Sequence, residues 1–532
     1  MHPGLTRRSV LMTGAAAVAF GNTVSDAGAQ QPKKGGTLQF AISAETPHYD
    51  NHGSDTYATL HFAAPFYSTL LRFNLDKFPD VQGDLADKWE VAPDLMTYTF
   101  KLHPGVKFHD GSDLTSADVK ASYDRLRHPP QGVVSTRQAT FADIDTIETP
   151  DPLTVIFKMK AVNASMLEHF ASPWNVIYSA KDLAADPNGP KTKVNGTGPF
   201  IFVEHVKGSN VSGKRNENYF KKGLPYLDGF KGVFTLQAAA MLNAIQGGQV
   251  LAEFRGISPA ERDRLVQAMG DKIRIEESSW TLNLLVCFNT EKKPFDDVRV
   301  RKALLMAIDR WGGSQGLSRI STLRSVGGVI RPGSPFATPE AELVKLPGFA
   351  KDIKASREEA KKLLKEAGQE HLKFQLWNRN LAMPYTPAGI FLVDQWRQIG
   401  VEVEHKQSDT APYLAHMNAG NHDVAIDFSN LFMDDSSLAL AKYLSVSRAP
   451  ENRSRHKDAE LDKLYDDHLR ERDVEKRKAL IRAFEKRTFE QAYQQPLLWW
   501  HRIVPSHEVV MGWKMSPSHN LGAQLEEVWL NA

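Results

Sequence analysis

A serine flanked by glycines, Gly312-Gly313-Ser314-Gln315-Gly316, spells the G-x-S-x-G string in which a hydroxyl attacks an acyl carbon. That chemistry needs a strand before the serine and a helix after it. Here a helical pattern ending near Arg310 precedes the string, so it reads as a flexible loop, and an exported serine hydrolase has little support. His48-Tyr49-Asp50-Asn51-His52, with His61 nearby, offers imidazoles for a metal or haem. No H-E-x-x-H or carboxylate at ligand spacing accompanies them, and a polar loop at a cleft edge is the better reading. His501 and His507 are less specific still. The one cysteine, Cys287, lies in Leu284-Leu285-Val286-Cys287-Phe288 and reads as a small buried hydrophobe, which leaves no internal disulfide and no multi-cysteine metal site. Ligand chemistry is better served elsewhere. Trp377-Asn378-Arg379 ends a strand-like run, where open α/β sheets place their contacts, and an arginine there can take a carboxylate bidentately. Trp280 and Asn283, Trp499 and Trp500, Tyr49, and the acidic pair Asp434-Asp435 complete the candidates.

The elements that must position these groups follow from periodicity. Tyr98, Phe100 and Leu102 alternate with Thr97, Thr99 and Lys101 as in a half-buried strand. His103-Pro104-Gly105 turns the chain, Val106-Lys107-Phe108 reads as a second short strand, and Asp110-Gly111 turns it again. Thr115 to Asp118 has capping-box spacing and opens an amphipathic helix; Ser258-Pro259-Ala260-Glu261 opens another, ended by Gly270. Thr37 to Ile42 reads as a first strand. Val300, Ala303, Leu304, Ala307 and Ile308 share one helical face. Strands at 371–377, 401–404 and 423–428 alternate with a helix at 389–399, which suggests a second open sheet. Two charged helices follow, 458–470 and 474–493, whose interleaved charges suit a solvated face.

A chain of 532 residues exceeds one core, so two or three domains are expected. Its 65 Lys+Arg against 63 Asp+Glu, without a concentrated basic run, give no support for nucleic-acid partners. Arg7-Arg8 before an apolar stretch from Val10 to Phe20, then Ala27-Gly28-Ala29, have the form of a twin-arginine signal peptide over 1–29. That stretch is too short to span a bilayer stably, and no other run in the mature chain is long enough. No cysteine stands at the cleavage site, so a lipoprotein anchor is not expected. The expected location is the periplasm.

Three markers then carry a resemblance. Leu85 to Leu126 is similar to the hallmark segment of the family 5 extracellular solute-binding proteins, the dipeptide, oligopeptide and nickel receptors of ABC importers. Asn195-Gly196-Thr197-Gly198-Pro199-Phe200, Lys214 to Phe220 and Leu224 to Gly229 resemble the family's GTGPY, RNPDYW and P-x-LDG strings, with Phe200, Glu217 and Phe220 as mild departures. The glycines are expected to supply backbone conformations that side chains would block. Phe288-Asn289 and Pro294 to Ala303 resemble its FN and PF-DD-VRVR-x-A pattern, and Pro496 to Trp500 its segment returning to the first lobe.

The resemblance implies an α/β, two-lobed periplasmic binding protein fold with an extra subdomain in the first lobe and an interlobe ligand cleft. Lobe I would hold 36–283, with the subdomain around 76–190; lobe II would hold 284–502, and 503–532 would return to lobe I. It implies a non-enzymatic, monomeric receptor without a cofactor, taking a peptide-like or other small organic solute to a membrane permease. A metal-chelate or haem receptor is the alternative. Peptide-binding relatives carry W-x-x-D-Y-x-D/E-P over the segment matching Ser429 to Ser436, and their first aspartate pairs with the peptide ammonium. Phe432 stands at that aspartate, with Asp434 or Asp435 able to substitute only after a shift, so a free peptide N-terminus is expected to bind poorly.

Overall fold

The computed structural model describes residues 31–431 and 433–531. The candidate signal peptide over 1–29 and the candidate ligand residue Phe432 lie outside these described residues. Thr37–Ile42 runs parallel to Gly229–Phe234, and Asn210–Arg215 and Phe200–Val206 continue the sheet antiparallel. Its inward side chains, among them Leu38, Phe40, Val211 and Phe230, form one core with Phe62 and Phe66 of the segment after helix Tyr57–Ala63 begins.

Here the Gly-Thr-Gly marker finds its reason, which differs from the expected one. Neither glycine adopts a left-handed conformation. Both instead lie against the Phe66-Tyr67 backbone, where a Cβ on Gly196 would sit 2.1 Å from the Phe66 carbonyl oxygen and one on Gly198 2.4 Å from its carbonyl carbon. Close approach, not torsional freedom, excludes a side chain.

A second sheet runs 86–91, 97–102, 154–159, 144–151, antiparallel throughout. Tyr98, Phe100 and Leu102 are buried as their alternation demands, and full burial of such side chains contributes about 1.5–3 kcal/mol each. Helix Ser116–Arg127 covers this sheet through Val119, Tyr123 and Leu126. Its first turn is closed as expected, the Asp118 carboxylate accepting the Thr115 N–H at 2.7 Å. Val106-Lys107-Phe108 is not a strand. The flanking turns bring Phe108 N–H to the Ser112 carbonyl at 2.8 Å and Leu114 N–H to that of Val106 at 2.9 Å, so the segment folds onto itself.

The third sheet has six strands in the order 323–325, 494–507, 273–288, 424–430, 373–379, 402–408. The expected strands and helices of this region are present, with ends displaced by a few residues, as helix Tyr385–Arg397 and strand Lys373–Arg379 show. The two longest strands, Ile273–Phe288 and Gln494–His507, pair antiparallel along most of their length. Their beginning and end pack with Ala41, Met241 and Leu265, whereas Leu282, Leu284, Val286 and Phe288 join the core of Val300, Ala303, Leu304 and Trp396. Between these two surroundings the register slips: Ser279 faces His501, but Asn283 faces Trp499. Two extra residues are accommodated on one strand, a bulge that bends the ribbon there.

The Gly312 to Gly316 string is not a loop. It lies inside helix Arg310–Ile320, whose N-cap Asp309 accepts the Gly312 N–H at 2.8 Å, and the Ser314 hydroxyl donates to the Arg324 carbonyl. A helix rather than a strand holds the serine, so the nucleophile geometry is absent.

Candidate ligand-binding site

The bulge sets Trp280 and Trp500 edge to face, with ring centroids 5.6 Å apart at 84°. From this pair a wall of rings extends both ways. Toward the first sheet, Arg255 lies 5.6 Å from the Trp280 ring and 4.4 Å from that of Tyr57. Toward the second open sheet, Trp500 meets Tyr385 at 6.4 Å, and Tyr385 meets the Arg379 guanidinium at 5.1 Å. Phe428 and Tyr413 close around Arg379 at 4.4 and 5.7 Å.

Each end is fixed by its own scaffold. Arg379 ends strand Lys373–Arg379, and the preceding Asn378 donates to the Tyr385 carbonyl at 2.7 Å, holding that ring against the arginine. Arg255 rides on the 253–256 turn. There buried Arg502 donates to the carbonyls of Arg255 and Ser516, both at 2.8 Å, and Glu253 accepts the Gly256 N–H at 2.6 Å. Gly256, at φ +149, lets this turn pass beneath Trp280, where a Cβ would lie 3.1 Å from the ring. Burial pushes the Glu253 carboxyl up to about 7, against the Gly256 N–H and the charges of Arg255 and Arg502, which favour its ionised form.

Arg379 is 9% exposed. Among the described residues its guanidinium has neither an ion pair nor a hydrogen bond, and its Nε is buried without a partner. Trp500 Nε1 and Arg255 Nε are likewise unpartnered. Lying along one wall, these donors can take an acceptor from elsewhere.

The other expected site residues are dispersed. Trp377 shares a strand face with Arg379 but stacks on His416 at 3.7 Å. Asn283 is buried in the sheet beside Trp499, with its Oδ1 unpartnered. Tyr49 stacks on Phe62 at 4.3 Å, and its hydroxyl lies 3.0 Å from His205 Nδ1. Asp434 pairs with Arg331 at 2.7 Å; burial still holds its carboxyl above the usual range. Asp435 caps helix Ser436–Ala441, accepting the Leu438 N–H at 3.0 Å. Both acidic groups are therefore engaged within the protein.

The histidine loop is buried from Asp50 to His52, while His48 and Tyr49 are half-exposed. Asp50 and His52 are fully buried, and Arg125 clamps Asp50 with bonds of 3.0 and 2.6 Å. Burial first, then the charge of Arg125, lowers His52 to about 3, leaving a neutral ring that donates from Nε2 to the Val176 carbonyl. Among the described residues no three His, Cys, Asp or Glu side chains converge to hold a metal.

Residues 80–449 match the sequence profile of the bacterial extracellular solute-binding proteins, family 5 middle. The glutathione-binding protein GsiB of Pectobacterium atrosepticum is 29% identical over 379 residues, 71% of this chain and 70% of that one. A dipeptide-binding protein of Pseudomonas aeruginosa is 26% identical over 460 residues, 81% and 84% of the two chains. The periplasmic binding protein DppA of Helicobacter pylori, solved with the peptide STSA, superimposes with a TM-score of 0.78 at 22% identity, covering 94% of this chain and 99% of that one. The fold is the two-lobed one of periplasmic binding proteins, and the family is one of receptors. With its profile matched across most of its length, the chain belongs to the family 5 bacterial extracellular solute-binding proteins.

Proposed function

We propose that this protein is a periplasmic receptor that captures a small, carboxylate-bearing organic solute between its lobes and delivers it to the permease of an ABC importer. The single observation that carries the ligand reading is Arg379, a largely buried arginine whose guanidinium stands among aromatic rings with no counter-ion among the described residues. The relatives named for dipeptide and glutathione binding support the receptor role, since both of those ligands bear carboxylates. The lobes would comprise 36–283 with 503–532, and 284–502, with the chain crossing at the paired strands beside Trp280 and Trp500. A ligand touching both sides favours closure only by its greater affinity for the closed form.

The test is a carboxylate ligand added to the mature protein. Thermal stability is expected to rise, by about 2.7 kcal/mol at a free ligand concentration a hundredfold above Kd. The radius of gyration in solution scattering is expected to fall at the same concentrations. Tight binding without compaction would rule out closure.

Among the described residues no helix is long and apolar enough to cross a membrane. Export by the twin-arginine route is the accompanying proposal, supported by Arg7-Arg8 ahead of the apolar stretch. Replacing both arginines by lysine is expected to leave the precursor in the cytoplasm. Undiminished export of that variant would assign the segment to the general secretory route instead.

A further inference from the structure

The Arg379 reading accounts for one end of the ring wall; the other end presents the same problem. Arg255 faces Tyr57 and Trp280, is half-buried, and has no ion pair or side-chain hydrogen bond among the described residues. Beside it, Trp280 Nε1 donates to His519 Nδ1 at 3.0 Å. An indole N–H only donates, so Nδ1 accepts and the proton of this neutral imidazole sits on Nε2. That N–H is buried without a partner. The unmet groups on the wall are thus predominantly donors: Arg255 Nε, His519 Nε2, Trp500 Nε1 and Arg379 Nε. Thr281 Oγ1, which can act either way, and the acceptors Asn283 Oδ1 and Asp427 Oδ2 on the adjoining strands are the exceptions, the last of them facing Lys442 in an ion pair.

The carboxylates near either end are already committed. Asp427 lies 2.8 Å from Lys442 and 3.6 Å from Arg453, and Asp434 pairs with Arg331. Glu253 accepts the Gly256 N–H, its acid form favoured by burial. Arg502, the other cation behind Arg255, is spent on backbone carbonyls. Burial suppresses ionisation of the Tyr385 phenol, on which Arg379 and, more weakly, Arg255 act against the opposing charge of Asp427. A single ring therefore lies in the field of both guanidiniums.

Resting on the receptor reading above, we propose that the ligand is a small diacid that places one acidic group on Arg379 and the other on Arg255, with no ammonium required. A dianion neutralises both cations and supplies acceptors to the donors beside them. A zwitterionic dipeptide would satisfy one cation and bring an ammonium to a wall of donors, where an unpaired charge is costly. Three flat rings between the two arginines suit a ligand whose middle is apolar or planar.

The test is binding to the mature protein of succinate through azelate, N-acetylglutamate and glutathione, with N-acetylglutamine and alanylalanine as controls. At least one diacid is expected to bind, with its mono-amide weaker by about tenfold or more. Arg255→Gln is expected to erase the preference for the diacid over its mono-amide, and Arg379→Gln to remove binding of both. The wild-type comparison of acid with amide does not depend on how either variant folds. If no diacid binds, if alanylalanine alone binds, or if Arg255→Gln keeps the full preference, the diacid assignment is wrong. Loss with Arg379→Gln but not with Arg255→Gln leaves the single-carboxylate receptor standing; no loss with Arg379→Gln removes that reading as well.

Discussion

Replacing Arg379 by methionine is expected to abolish ligand binding without lowering the stability of the empty protein. The arginine is largely buried with its Nε unpartnered, and no carboxylate among the described residues offsets that partial desolvation. Three surrounding rings return part of the cost, each cation–π contact contributing about 0.5–1 kcal/mol or somewhat more when dry. Methionine has similar reach, no charge, and favourable sulfur contacts with the same rings. The ligand-free variant is therefore expected to be as stable as the parent or more so, by up to about 2 kcal/mol. Binding behaves oppositely. A bidentate carboxylate–arginine pair in a closed, dry site is worth about 3 kcal/mol, so affinity is expected to fall by more than about a hundredfold. Calorimetry for binding, with thermal melts of the empty protein, separates the two effects. A destabilised empty variant would show that Arg379 holds the fold instead of waiting for a ligand.

The second large effect lies away from the cleft. Arg125→Met is expected to cost about 3–5 kcal/mol, because it strands the Asp50 carboxylate in a fully buried position. Burial alone would raise Asp50; the Arg125 hydrogen bonds and the surrounding charges outweigh it and hold the carboxyl below its ordinary value of 3.8. A depressed acid stabilises the folded state above its unfolded pKa, and that contribution is lost as pH falls through the folded value. In Arg125→Met burial goes unopposed, the carboxyl moves above its ordinary value, and the dependence changes sign. The variant should then recover stability on mild acidification while the parent does not. Adding Asp50→Asn should restore much of the loss at neutral pH. Urea midpoints across the acid range measure all three proteins. A loss independent of pH would point to packing of the arginine stem rather than to the stranded charge.

What could be read from the sequence follows from how local each determinant is. The alternation of Tyr98, Phe100 and Leu102, the Thr115–Asp118 box and the single face of Val300 to Ile308 are decided within a turn or two, and they stand in the structure. Arg379 was legible as the end of a strand. Arg255, Tyr57, Tyr385 and His519 were not, because no periodicity marks them, and they come from segments far apart in the chain that meet around Trp280 and Trp500. The histidine loop reads from its composition as a polar loop at a cleft edge, and nothing local marks the burial of Asp50 and His52. That burial depends on Arg125, seventy-five positions further on, which supplies the missing charge. Ser314 went to a helix because Asp309 caps it, a signal that the two glycines before the serine masked.

The isolation of Cys287 has a practical consequence. It is the one thiol in the sequence, it is fully buried, and burial pushes its ionisation far up, so the folded protein offers no native target for a thiol-directed dye. Two engineered cysteines, at exposed Val203 on one sheet and exposed Ile390 on the helix beside the other, would be the sole sites of labelling. The natural chain thus arrives already prepared as a background for a fluorescent distance gauge, in which capture of a solute could be followed one molecule at a time.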